Sequence, residues 1–342
     1  MNPKHILSVL QFTKADVIQY IERATHLKRY QNVSLVQLPF HGNPSQDNRQ
    51  MPTLVPQPSV TQYPNKTLIT AFYEPSTRTS CSFQAAAYKL GCKVISITDK
   101  VSSSQKGETL EDTIKTLQYY GDAIVLRHPE KGAAVRASAV SNRPIINAGD
   151  GNGEHPTQAL LDIFTIYTEL KERNIDLYDT SRQPITVTFT GDLKNSRTIH
   201  SLIYLLSLFP HMCFMYISPP SLELPPEIMQ RMSDLNIQQR IYDSLYDSIY
   251  NTDILYVTRI QKERFATERD YFSITLSHDY KNFCITPELL RFAKPSALIM
   301  HPLPRSTELP SEIDDDPRAI YFKQVENGVY MRMAILEEVF RQ

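Results

Sequence analysis

Short apolar runs alternate with amphipathic stretches along almost the whole chain, and that alternation restricts the fold more than any other feature. Strand-length apolar runs fall at 67–73, 93–97, 122–126, 144–147, 185–190, 212–217, 237–241, 253–258 and 297–300. Between many of them lie segments with helical spacing, at 108–120, 132–140, 196–208, 225–234, 243–250 and 286–293. Strands separated by helices predict parallel sheets covered by helices on both faces. So many strands fit two smaller sheets better than one wide one, and 342 residues exceed what one compact core holds. The expected fold class is α/β, with two parallel-sheet domains. A long helical pattern from Pro156 to about Lys171 separates the two series of units. A second begins near Ile320 and carries Val329, Met333, Ile335, Leu336 and Val339 to the C-terminus. The segment 31–65 is rich in Pro, Gln, Asn and Ser with little periodicity, and is expected to be an irregular loop.

Composition narrows the function. The formal net charge is −1 and the charges are dispersed, which favours neither nucleic acid nor an anionic membrane as a partner. The four cysteines (Cys81, Cys92, Cys213, Cys284) are far apart with no C-x-x-C pair, which argues against a disulfide framework or a structural zinc site. The N-terminal MNPKHILSVLQFTK lacks the apolar core of a secretory signal. Ser201–Ser218 is nearly uncharged but is cut by Pro210-His211, and reads as buried helix, turn and buried strand rather than a membrane span. A cytoplasmic, soluble protein is expected.

Ligands of parallel α/β folds sit beyond the carboxyl ends of the strands. There, Glu74-Pro75-Ser76-Thr77-Arg78-Thr79-Ser80 follows an apolar run and opens a helical pattern with Phe83, Ala86, Ala87 and Leu90 on one face, closed by Gly91. A helix N-terminus offers unpartnered N–H groups and about half a positive charge. Hydroxyls and the planar fork of Arg78 complete an anion site. Other strand ends carry Ser102-Ser103-Ser104-Gln105-Lys106-Gly107-Glu108, Arg127-His128-Pro129, the glycine-rich loop 149–153 leading to His155 and Gln158, Gly191–Arg197, Arg259–Arg264, and His301-Pro302-Leu303-Pro304-Arg305. The set is rich in cationic forks and neutral donors. It contains no Ser-His-Asp order, no metal cluster and no redox pair. Such an inventory suits binding of two multiply charged anions and stabilisation of a developing oxyanion.

Taken together, STRTS, SSSQKGE, RHP, GEHPTQALLD, GDLKNSRTIHSL, TRIQKERF and HPLPR closely resemble, in order, the catalytic chain of the aspartate carbamoyltransferase family. The wording of RIQKERF and DPRAIYFKQVENGVYMRMA is most like the domain of the animal multifunctional enzymes. The resemblance runs from about Lys4 to the end and departs in 31–65, where the family has a shorter connection. The sister ornithine carbamoyltransferases use a cysteine after the late histidine and a Ser-Met-Gly loop. Here that motif reads His301-Pro302-Leu303-Pro304, which favours aspartate. A carbamoyltransferase for another amine and a non-catalytic paralogue are the alternatives.

The resemblance implies a carbamoyl phosphate-binding domain at 1–155, an aspartate-binding domain at 156–322, and a C-terminal helix at 323–342 packed back on the first. It implies no cofactor and no metal, with carbamoyl phosphate and L-aspartate as the small-molecule partners. Ser76, Thr77, Arg78 and Thr79 would hold the phosphate. Thr79, Arg127 and His155 would donate to the carbamoyl oxygen. Gln158 and the carbonyls of Pro302 and Leu303 would receive the carbamoyl NH₂. Arg197, Arg259, Gln261 and Lys106, with Leu303, would bind aspartate. Ser102 and Lys106 would arrive from the neighbouring subunit of a homotrimer with shared sites. Glu74 would pair with Arg197 and Arg264 to hold a closed state.

Overall fold

The computed structural model describes residues 4–33, 61–98, 107–181 and 183–341. Its helices and strands, in chain order, are α1 (Lys14–Val33), β1 (Thr67–Phe72), α2 (Thr77–Lys89), β2 (Lys93–Thr98), α3 (Leu110–Leu117), β3 (Ala123–His128), α4 (Ala133–Val140), β4 (Ile145–Asp150) and α5 (Pro156–Glu172). There follow β5 (Ile185–Thr190), α6 (Arg197–Leu206), β6 (Met212–Ile217), α7 (Pro226–Asp234), β7 (Gln238–Ile241), β8 (Ile254–Val257), α8 (Glu268–Thr275), α9 (Pro287–Leu290), β9 (Leu298–Met300) and α10 (Tyr321–Phe340).

The strands form two sheets, ordered β2-β1-β3-β4 and β7-β6-β5-β8-β9, and every pairing is parallel. Strands covered on both faces carry no charge and little exposed polarity, and β5 (ITVTFT) and β6 (MCFMYI) are buried at every residue, the β5 threonines included. The edge strands β2 and β7 are largely exposed instead. Chain order reverses between β1 and β3 in one sheet and between β5 and β8 in the other. Those reversals splay the connecting loops apart and leave crevices at the strand ends.

Two long helices tie the architecture together. α5 leaves the end of β4 with Pro156 in its first turn, where the missing N–H costs nothing. α10 packs against α1, α2 and α5, so the C-terminal helix returns to the side of the first sheet. Its face of Tyr330, Met331, Ala334 and Ile335 joins the largest apolar core.

Differences from the sequence expectation are local. β3 runs on through Arg127 and His128, which lie within the strand rather than beyond it. The pattern at 243–250 is two short 3-10 turns, Leu245–Asp247 and Ile249–Asn251, and 286–293 holds only the single turn of α9. Two helices were not anticipated, α1 and α8. The first carries Val17, Tyr20, Ile21, Ala24 and Leu27 as its buried stripe and extends to Val33, into the start of the segment expected to be loop. Of that segment, 34–60 lies outside the described residues.

Candidate active site

A cavity of about 300 Å³ opens where the carboxyl ends of the two sheets face each other. Its wall comes from the reversal strands of both sheets: Glu74 to Ser76 with Arg78 and Thr79 after β1, Arg127 on β3, Ser196 to Thr198 after β5, and Thr258, Arg259 and Gln261 after β8. His155 and Gln158 at the start of α5, and His301 to Pro304 after β9, complete it.

On the first-sheet side, Ser76 is the N-cap of α2, yet its side chain makes no capping bond and remains available. Arg78 and the buried Thr79 line the cavity from the first turn. Thr77 is exposed and does not line it. Burial, reinforced by Arg259, holds the Arg78 guanidinium below its ordinary pKa. Arg127 is buried, donates to Glu74 Oε1 at 2.8 Å and the Ala148 carbonyl at 3.3 Å, and leaves its Nε without a partner. Burial lowers its pKa to about 10, with Arg197 adding to the effect and Glu74 opposing it, so it is still a cation at neutral pH.

His155 is the N-cap of α5 and is almost fully buried, its backbone N–H donating to Ser201 Oγ at 3.1 Å. Its Nδ1 has no partner. Burial first, then Arg127, Arg197 and Arg332, hold its pKa well below 6.5. The imidazole is therefore neutral and serves as a hydrogen-bonding group, not as a cation.

On the other side, Arg197 opens α6 and reaches back to Glu74, at 3.2 Å to Oε1 and 3.3 Å to Oε2. It also donates to the Gly151 carbonyl. Arg264, expected beside Glu74, donates to the same carbonyl at 3.0 Å. Arg127 and Arg197 already fill the Glu74 oxygens, so the guanidinium partners of Glu74 are Arg127 and Arg197. Burial raises the Glu74 pKa, but those two cations outweigh it and leave the carboxyl below its ordinary value.

Arg259 is held by Glu263, one contact being 3.0 Å. The Gln261 backbone N–H donates to Asp192 Oδ2 at 3.4 Å, which fixes the β8 loop against the β5 turn. Gly191 permits that approach: at φ +108° a Cβ there would lie 2.0 Å from the Thr258 carbonyl oxygen. Leu303 adopts φ +56°, and its N–H donates to His301 Nδ1 at 2.8 Å. Pro302 and Leu303 both line the cavity from this turn. Ser102 and Lys106 lie outside the described residues.

The comparisons with known proteins match this construction half by half. Residues 4–168 match the aspartate/ornithine carbamoyltransferase, carbamoyl-P binding domain, and residues 183–339 match the Asp/Orn binding domain of the same family. The chain belongs to the aspartate/ornithine carbamoyltransferase family.

Among carbamoyltransferase relatives, the multifunctional protein CAD of Squalus acanthias is 44% identical over 98% of this chain. The chain spans only 13% of that protein's length. The aspartate carbamoyltransferase catalytic subunit of Methanocaldococcus jannaschii is 41% identical and covers 98% of this chain and 97% of its own. A solved structure of Trypanosoma cruzi aspartate transcarbamoylase in complex with N-(phosphonacetyl)-L-aspartic acid superposes with a TM-score of 0.83 at 36% identity, covering 98% of this chain and 95% of that one.

Several residues of the site escaped the sequence reading. Ser82, Gln324 and Arg332 also line the cavity, as does Glu263 of the Arg259–Arg264 cluster, and Asp162 is buried behind Gln158. Arg332 is a buried cation that donates to Ser82 Oγ at 2.9 Å and stacks on Phe83 at 5.0 Å. Burial lowers its pKa to about 10. The signal was present as single charges on otherwise apolar helical faces, Asp162 in ALLDIF and Arg332 in YMRMA.

Proposed function

We propose that this chain is an aspartate carbamoyltransferase, moving the carbamoyl group of carbamoyl phosphate to the α-amine of L-aspartate in an early step of de novo pyrimidine synthesis. The observation that carries this reading is the convergence of Arg78, Arg127, Arg197, Arg259 and a neutral His155 on one cavity. Two anions are thereby offered adjoining subsites, one built from each sheet.

In this reading Ser76, Arg78 and Thr79 bind the phosphate at the α2 N-terminus, and Thr77, whose side chain lies outside the cavity, contributes its first-turn backbone N–H. Thr79, Arg127 and His155 donate to the carbamoyl oxygen. Gln158 and the Pro302 and Leu303 carbonyls accept from the carbamoyl NH₂. Arg197, Arg259 and Gln261 bind the aspartate carboxylates, and Arg259 exchanges Glu263 for substrate. The neutral amine nitrogen attacks the carbamoyl carbon, and the tetrahedral intermediate places its charge on the oxygen facing Arg127 and His155. The carbon–oxygen bond to phosphate then breaks, the electron pair leaves with phosphate, and the amine proton passes to it. No protein base is needed. Catalysis comes from alignment and electrostatic stabilisation.

The same reading assigns carbamoyl phosphate binding to 1–155, aspartate binding to 156–322, and Glu74 to holding the closed state. It includes a homotrimer whose neighbouring subunit supplies Ser102 and Lys106, and a cytoplasmic location in keeping with four free cysteines. Incubation of the purified chain with carbamoyl phosphate and a panel of amines tests it. Aspartate alone should yield product, and Arg78→Ala should cost 10²-fold or more, roughly the value of an oxyanion-type donor. Transfer to ornithine instead of aspartate would overturn it.

A further inference from the structure

Asp162 has no part in the roles assigned above, yet it organises the groups that face the carbamoyl NH₂. It lies on α5 one turn beyond Gln158 and is fully buried. Its Oδ1 accepts from Gln158 Nε2 at 2.9 Å and from Gln324 Nε2 at 2.5 Å, while Oδ2 accepts from the Tyr256 hydroxyl at 2.7 Å. Gln324 Oε1 in turn accepts the backbone N–H of His301 at 3.1 Å, at the head of the loop that carries Pro302 and Leu303.

A primary amide has a donor side and an acceptor side. Because Asp162 Oδ1 takes the NH₂ side of Gln158, the amide oxygen is the atom left for the cavity that Gln158 lines. The same logic fixes Gln324, whose nitrogen meets Asp162 and whose oxygen meets His301. A proton on Oδ2 would leave Oδ1 an acceptor, so both orientations survive either ionisation state of the carboxyl.

We propose that Asp162 is a positioning residue that turns the Gln158 oxygen toward the substrate and, through Gln324 and His301, sets the Pro302 and Leu303 carbonyls beside it, so that the site selects a donor bearing NH₂ over one bearing methyl. This rests on the carbamoyl transfer proposed above. A site built to receive a hydrogen bond rejects an isostere that cannot make it, because its own polar groups are left unpaired.

The probes are phosphonoacetamide and phosphonoacetone, which differ only in NH₂ against CH₃, and the readout is the ratio of their inhibition constants. Asp162→Ser leaves room for a water that either donates or accepts, so Gln158 is free to turn. Its ratio should fall at least tenfold toward unity. Asp162→Asn, which keeps an acceptor for both amides, should stay within about threefold of the wild type. Tyr256→Phe removes the bond to Oδ2 alone, and should lower the melting temperature while keeping the ratio. An unchanged ratio in folded Asp162→Ser overturns the proposal. If that variant does not fold, loss of the ratio in Asp162→Asn or in Tyr256→Phe overturns it. Wild-type carbamoyl aspartate formation, measured alongside, separates failure of this inference from failure of the assigned reaction.

Discussion

Arg127 and Arg197 converge on one atom, Glu74 Oε1, at 2.8 and 3.2 Å. One guanidinium belongs to the first sheet and the other opens the first helix of the second series. A single carboxylate therefore bridges two like charges from the two halves of the chain and offsets part of their repulsion. Glu74→Gln keeps the shape and removes the charge. Steady-state kinetics should show the half-saturating aspartate concentration rising at least tenfold, with carbamoyl phosphate binding changed much less. Equal weakening of both substrates would place Glu74 in simple phosphate binding.

The same carboxylate gives a pH dependence with a defined sign. The folded Glu74 pKa lies below its ordinary value. Its contribution is thus present above the unfolded carboxyl pKa and is lost as pH falls through the folded one. Wild-type melting temperature should fall more steeply than that of Glu74→Gln below about pH 4.3, the ordinary glutamate value. Parallel curves would contradict this.

His155 should not titrate where a free imidazole does. Its folded pKa is depressed, so the neutral form should persist at pH 6, below the ordinary histidine value of about 6.5. Histidine-selective NMR on the wild type, assigned with His155→Asn, reads this directly. A shift through the free-imidazole range would show a cation at the carbamoyl oxygen.

Gly149 makes room for the arginine pair. At φ +114°, an added Cβ would sit 3.2 Å from Arg197 Cζ and 3.3 Å from Arg127 Nη1. Gly149→Ala should lower kcat/KM for aspartate by about tenfold or more, because displaced clamps misalign the reactants. Wild-type kinetics would mean that the clamps tolerate the shift.

Much of this was legible in the sequence for a physical reason. Doubly covered strands are uncharged and rich in apolar and β-branched residues, so β5 and β6 appear in the sequence with the bounds the fold gives them. Site residues gather at strand ends, so Arg78, Arg127, His155, Arg197 and Arg259 could be singled out before their distances were known. What escaped was tertiary pairing. Nothing in the order of residues says that Arg127 rather than Arg264 reaches Glu74, because both are arginines near the carboxyl ends of strands. Asp162 escaped for a similar reason, since its partners Gln158, Tyr256 and Gln324 lie on three different elements.

The neighbouring-subunit contribution has its own test. Arg78→Ala and Lys106→Ala chains, each inactive alone, should recover part of the wild-type activity when mixed under conditions that exchange subunits. No recovery after verified exchange would mean that each chain builds its site alone.

The central claim is that two acidic substrates lie side by side in one cavity, each held by its own arginines. Calorimetric titration with N-(phosphonacetyl)-L-aspartate, which joins a phosphonate to aspartate, tests this most directly. One molecule should bind per chain at least 100-fold tighter than phosphonoacetamide or succinate alone, and Arg78→Ala and Arg259→Ala should each weaken it by at least tenfold. Binding no tighter than either half, or indifferent to one of the two arginines, would contradict the account.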